Sequence, residues 1–130
     1  MKQTFNNGEG KSVLLRMVKG IQDNKDFLGE VDGLIGDGDH GMNMNKGFSV
    51  FGERFAGEEF SFSEGLNELG MILMNEIGGS MGPIYGTILT DMGDTLDESG
   101  KEEIGLSDFA SCLGAGLEGL LEIVDARVGD

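Results

Sequence analysis

Apolar positions along the chain recur at three- and four-residue steps, the period of a helix with one buried face. Val13, Leu14, Met17, Val18 and Ile21 mark such a face over 11–22, and Phe27, Leu28, Val31, Leu34 and Ile35 mark another over 24–35. A third helix is predicted over 42–56, with Phe48, Phe51 and Phe55 on one side. A fourth covers 63–77, with Ser63 as N-cap and Leu66, Leu69, Leu73 and Ile77 inward. The fifth, 80–97, carries Ile84, Ile88, Leu89, Met92 and Leu96. The sixth, 107–126, is capped by Ser107 and turns Phe109, Leu113, Leu117, Leu120, Leu121 and Val124 inward. No stretch alternates Val, Ile and Thr with period two, so no strand is predicted. The pattern is that of an all-α chain of about six antiparallel amphipathic helices. Neither an internal repeat nor a low-complexity linker divides residues 1–130, which read as a single domain. The apolar stripes read as bundle core, not as ligand contacts.

Glycine changes this picture. The chain has 24 glycines in 130 residues, several-fold above the usual share of about 7%. They cluster at 29–41, 78–86 and 114–119, as suits tight turns and close approach of backbone to a neighbour or a ligand. Inside a helix each costs roughly 1 kcal/mol against alanine, so Gly82 and Gly86 call for an offsetting gain, either close packing or ligand contact. Cys112 is the single cysteine. It lies in an apolar helical run, reads as a small core residue, and fits a reducing, cytoplasmic setting. The net charge of −15 argues against nucleic acid, whose affinity for proteins comes largely from Lys and Arg neutralising phosphates. An acidic protein can still hold a polyanion when metal ions lie between them. No run of about 18 apolar residues suggests a membrane span, and the first residues lack the apolar core of a signal peptide.

The candidate chemistry starts at Gly36–Gly41, GDGDHG. Its spacing is G-x-G-x-x-G, the dinucleotide fingerprint, but that motif needs a preceding strand, and 24–35 is predicted helical. No G-x-x-x-x-G-K-[ST] occurs, so it is not a P-loop. An EF-hand beginning at Asp37 would have Gly41 at position five, Met42 at six and Phe48 at twelve, which also fails. What remains is three carboxylates, Asp32, Asp37 and Asp39. Gly36 and Gly38 allow the helix to end, an extended segment puts Asp37 and Asp39 on one side, and Asp32 on the last helical turn can face them. Such a cluster repels itself unless cations join it, and hard oxygen ligands select Mg²⁺ or Ca²⁺. The other reading is an acidic, solvated turn. His40 by itself fits a ligand, a phosphate donor or a turn residue. A second stretch, GGSMGPIYGT at Gly78–Thr87, puts glycines before a helix start, where exposed N–H groups and the helix dipole favour an anion. Ser80 and Thr87 add hydroxyls. The competing reading is a plain loop with a Ser N-cap and a first-turn proline.

Together the two stretches, D-x-x-x-x-G-D-G-D-H-G-x-N-M over Asp32–Met44 and G-G-x-x-G-P-x-Y-G-T over Gly78–Thr87, resemble the ADP-binding L subunit of dihydroxyacetone kinase and the equivalent domain of one-chain dihydroxyacetone kinases. The resemblance implies a barrel of amphipathic helices with nucleotide at one end. It implies two Mg²⁺ ions on Asp32, Asp37 and Asp39 bridging to the diphosphate of ADP or ATP, with His40 and Asn43 beside the phosphates. Gly78, Gly79, Ser80 and Met81 would line the nucleotide, with Thr87 nearby. The family usually has Ser where this chain has Met81. Its pattern also continues beyond Gly129–Asp130 into further helices, so the barrel is expected to be incomplete here, with apolar faces covered by self-association. The activity implied is phosphoryl transfer to dihydroxyacetone held on a partner subunit, with bound ADP recharged by a phosphocarrier of the phosphotransferase system. A related kinase for another small hydroxylated substrate, and a non-catalytic helical interaction module, are the alternatives.

Overall fold

The computed structural model describes residues 4–34, 36, 38–77 and 81–123. Five helices carry the chain: α1 (Lys11–Asp32), α2 (His40–Phe55), α3 (Phe62–Glu76), α4 (Met81–Ser99) and α5 (Leu106–Ile123). Two short strands accompany them, β1 (Thr4–Asn6) and β2 (Glu103–Gly105). They pair antiparallel, with Phe5 opposite Ile104. The fold is all-α apart from this ribbon, which is too short to leave an alternating pattern in the sequence.

The first two expected helices are one. Residues 11–32 form α1 without interruption, because nothing at Asp23 or Asn24 stops a helix: Lys19 bonds Asp23 at 3.0 Å and the Asn24 amide donates to the Gly20 carbonyl at 2.8 Å. The N-cap of α3 is Ser61, not Ser63; its side chain accepts from the Glu64 N–H at 3.2 Å. Ser63 is buried. Its hydroxyl donates to Asp97 at 2.6 Å and accepts from the Asn7 side-chain NH₂ at 3.1 Å, and its N–H donates to the Asn7 side-chain oxygen, Oδ1, at 3.0 Å. This polar knot ties the turn after β1 to α3 and α4. At α5, Ser107 lies inside the helix. Asp108 reaches back to accept the Gly105 N–H at 3.0 Å and also bonds Lys101, the reciprocal half of a capping box. These two donors hold the Asp108 carboxyl below its ordinary range, Lys101 contributing most.

The helices pack in chain order, α1 on α2, α2 on α3, α3 on α4 and α4 on α5, with α1 also touching α3. The core sits around α3. Leu66, Leu69, Leu73 and Ile77 are buried as the periodicity predicts, together with Leu14, Val18, Phe48, Phe51, Phe62, Met92 and Leu96. Phe51 stacks on Phe55 and meets Phe60 edge-on. The offsetting gain at Gly82 and Gly86 is close packing: a Cβ at Gly82 would overlap the Leu73 carbonyl, and one at Gly86 would overlap Met74. These positions let α3 and α4 run nearly backbone to backbone. Cys112 is fully buried, as expected, and burial pushes its thiol pKa up.

The outer helices depart from expectation. Phe27, Val31 and Leu34 on the α1 side, and Phe109, Leu113, Leu117 and Leu121 on α5, are exposed rather than inward. α5 meets α4 through its small residues instead. Cys112 and Gly116 are buried, and a Cβ at Gly116 would press on the Ile88 carbonyl. The large apolar side chains therefore face away. No helix among the described residues is long and apolar enough to cross a membrane.

Where α4 meets α5, Asp91 lies so close to Gly119 that a Cβ there would overlap its carboxylate. Burial, then Asp94 and Glu122, push the Asp91 carboxyl above its ordinary range. A raised carboxyl pKa means that the charged form opposes folding at neutral pH, and that this cost is lost as pH falls through the folded-state value. Asp91→Asn should therefore raise Tm by a few degrees at pH 7, with the gain shrinking as the pH is lowered. Differential scanning fluorimetry across the acid range checks this; a variant less stable than the parent at pH 7 would contradict it.

Candidate functional site

The site is built where α1 ends and α2 begins. The two helices touch backbone to backbone: a Cβ at Gly41 would overlap the Lys25 carbonyl oxygen, so only glycine permits this spacing. The chain reverses over 33–39. Gly33 N–H bonds the Gly29 carbonyl at 2.9 Å, and Gly36 N–H bonds the Asp32 carbonyl at 2.6 Å. Gly38 has φ +80°, a conformation that costs a residue with a side chain roughly 1–2 kcal/mol.

Asp32 organises this turn. One oxygen of its carboxylate accepts the Gly38 N–H at 2.9 Å and the His40 N–H at 3.4 Å. The other lies where a Cβ at Gly36 would be. A carboxylate in the last turn of a helix faces the negative end of the dipole, which is unfavourable. Loop N–H groups and the first N–H of α2 offset that. The acidic loop is thus wrapped around a carboxylate with backbone donors pointed inward.

Asp39 holds the N-cap position of α2 and is exposed, with no side-chain bond to the helix end. His40 and Asn43 follow in the first turn, both half-buried. Asp37 lies outside the described residues, as do Gly78, Gly79 and Ser80. Met81 opens α4, and Thr87 sits half-buried further along it, its carbonyl accepting the Thr90 hydroxyl at 3.2 Å. Among the described residues no three His, Cys, Asp or Glu side chains gather as a metal cage. The chemistry of the expected set, carboxylate oxygens alone, suits a hard divalent cation.

The structure brings the two sequence stretches together. The His40 ring lies 6.2 Å from the Tyr85 ring, centroid to centroid, so the end of GDGDHG faces the first turns of α4. Tyr85 is not among the site residues that the sequence nominates. Its place inside G-P-x-Y-G-T was the available signal, and a half-exposed aromatic among glycines was the physical hint. Beside this contact is a hollow of about 380 Å³ lined by Phe27, Leu28, Val31, Asp32 and His40. One wall is apolar and the other presents a carboxylate and an imidazole.

The DAK2 domain family model matches residues 34–130. The chain belongs to the DAK2 family. Among curated relatives of this DAK2 chain, the ADP-binding subunit DhaL of PTS-dependent dihydroxyacetone kinase from Lactococcus lactis is 38% identical over 85% of the chain and 54% of the relative. The ADP-binding subunit DhaL of PEP-dependent dihydroxyacetone kinase 1 from Listeria innocua is 36% identical over the same shares. The D-erythrulose kinase of Mycolicibacterium smegmatis is 32% identical over 88% of the chain and 20% of its own length. The DAK2 chain therefore spans about half the length of the DhaL subunits it matches.

Gly41→Ala should force α1 and α2 apart and destabilise this DAK2 domain by about 1–3 kcal/mol, as overpacking does. Urea denaturation followed by far-UV circular dichroism checks it. An unchanged midpoint would mean that the close approach of Lys25 and Gly41 is not a constraint.

Proposed function

We propose that these 130 residues form one nucleotide-binding unit of a dihydroxyacetone kinase, presenting ADP or ATP with Mg²⁺ to dihydroxyacetone held on a partner subunit. The observation that carries this reading is the meeting of the two motifs at His40 and Tyr85, beside a loop whose N–H groups already turn toward Asp32. The names of the DhaL relatives, ADP-binding subunits, support it.

Asp32, Asp37 and Asp39 would hold two Mg²⁺ ions, whose chemistry is to neutralise phosphate charge and align donor with acceptor. That reconciles a chain of net charge −15 with an anionic ligand. His40 and Asn43 donate hydrogen bonds to phosphate oxygens. Gly78, Gly79 and Ser80 line the nucleotide at the start of α4, and Thr87 adds a hydroxyl on the same helix. Met81 offers only its backbone N–H, because a thioether donates no hydrogen bond. The apolar wall of Phe27, Leu28 and Val31 suits a flat, weakly polar group such as a base. The reaction places little covalent demand on the protein; its residues position the nucleotide and exclude water.

The phosphate donor in this reading is a phosphocarrier of the phosphotransferase system, in keeping with the names of the DhaL relatives, and the setting is the cytoplasm. The chain also pairs with a second copy of itself. The kinship with D-erythrulose kinase favours a second substrate reading, another small hydroxylated ketone in place of dihydroxyacetone.

Calorimetric titration with ADP tests the proposal. Binding is expected in Mg²⁺ and at least about tenfold weaker in EDTA, a loss of ~1.4 kcal/mol. Absence of ADP binding in Mg²⁺ would sink the reading. Asp37→Ala should abolish phosphoryl transfer in the assembled system while leaving helical circular dichroism intact; normal turnover would refute the metal assignment.

A further inference from the structure

The two rings that meet between the motifs are each mounted beside a locked glycine. His40 is the first residue of α2, and its neighbour Gly41 holds that helix against the Lys25 carbonyl of α1. Tyr85 lies near the start of α4, and its neighbour Gly86 holds that helix against α3. A Cβ at Gly86 would come within 2.8 Å of the Gly70 carbonyl oxygen, and one at Gly70 within 2.9 Å of the Gly86 carbonyl oxygen. Gly82, on the other side of Tyr85, is held at the Leu73 carbonyl. α2 and α4 do not pack along their length; each packs on α3. The 6.2 Å between the ring centroids is thus set by two backbone mounts. It falls in the range of about 4.5–7 Å where aromatic pairs attract.

The pair is not core. Tyr85 is 38% exposed and His40 half-buried, and neither belongs to the buried cluster around α3. His40 lines the hollow beside the acidic turn together with Asp32, and the described lining does not include Tyr85. A carboxylate can orient an imidazole, but it does so by taking one of the ring N–H groups. An aromatic neighbour restrains the ring by contact and leaves the in-plane Nδ1 and Nε2 to other partners. That difference matters here, because the Asp32 carboxylate shares the hollow and competes for the same donors.

We propose that Tyr85 is a positioning residue: its ring holds the His40 imidazole in the orientation that offers a nitrogen to a nucleotide phosphate instead of to Asp32. This rests on the nucleotide reading above and adds to it a residue that acts through His40 alone. The ring does the positioning, so its hydroxyl is dispensable. The two glycine mounts make the restraint effective, since a ring on a helix free to shift would not fix its neighbour. Both partners can be read singly, because the chain has one histidine and one tyrosine.

At about pH 8.5, roughly two units above the ordinary imidazole value, and without nucleotide or Mg²⁺, the one imidazole signal in a ¹H–¹³C spectrum reports the ring contact. Tyr85→Phe should leave that signal displaced from the position of a free imidazole, and Tyr85→Leu should return it there. Calorimetric titration with ADP in Mg²⁺ reads the consequence. Tyr85→Leu should weaken ADP about tenfold and Tyr85→Phe by less than about twofold, with helical circular dichroism unchanged in both. His40→Ala should weaken it at least as much, and adding Tyr85→Leu to His40→Ala should cost nothing further. A Tyr85→Leu loss as large without His40 as with it overturns the proposal. So does full affinity in Tyr85→Leu, a Tyr85→Phe chain as weak as Tyr85→Leu, or an imidazole signal that Tyr85→Leu does not move. A parent that binds no ADP in Mg²⁺ sinks the kinase reading and this one with it, whereas the other outcomes overturn this one alone.

Discussion

The arrangement at the candidate site depends on one steric condition, the contact of the Lys25 carbonyl with the Cα of Gly41. It sets α2 against α1 at a distance that no side chain at position 41 would allow. With the helices that close, the described glycines of the turn, Gly33, Gly36 and Gly38, pack against the end of α1. Asp32 then stands within reach of the N–H groups at Gly38 and His40. The same closeness carries His40 inward to Tyr85. Removing one hydrogen atom's worth of clearance would alter the turn, the carboxylate's donors and the meeting of the two motifs together.

Much of this was legible in the residues. α3 reads directly, because Leu66, Leu69 and Leu73 sit at helical spacing and every neighbouring helix leans on them. The acidic turn was recognisable from Asp32, Gly36 and Gly38, since only a chain reversal accommodates that order. The role of Asp32 as acceptor for loop N–H groups was not, because hydrogen bonds over six and eight residues leave no periodic trace. The boundary expected near Asp23 failed for the opposite reason. The polar residues there do not end the helix, because a helix surface tolerates them when they bond to their own turn.

α5 teaches a separate lesson. Periodicity identifies an apolar face; it does not say whether anything lies against it. Two apolar faces compete on this helix, one of Leu and Phe and one of Cys112 and Gly116. The smaller won contact with α4 because Gly116 lets the backbones approach, and dispersion gains rise steeply with closeness. The larger face was left outside. Ser63 likewise looked like a helix cap from its position, yet its hydroxyl serves as a bridge between Asn7 and Asp97.

The ribbon of β1 and β2 joins segments far apart in the chain, with Thr4 and Glu103 separated by 99 residues. During synthesis, Phe5 emerges well before its strand partner Ile104, which comes off the ribosome only after the four helices between them have been made. Until then β1 has no strand partner, although Phe62, which meets the Phe5 ring edge-on in the folded chain, is made part-way through. Contacts of such long sequence separation close late, because the loop entropy must be met before they give anything back. The ribbon is therefore a late latch, closing β1 onto a segment made four helices after it.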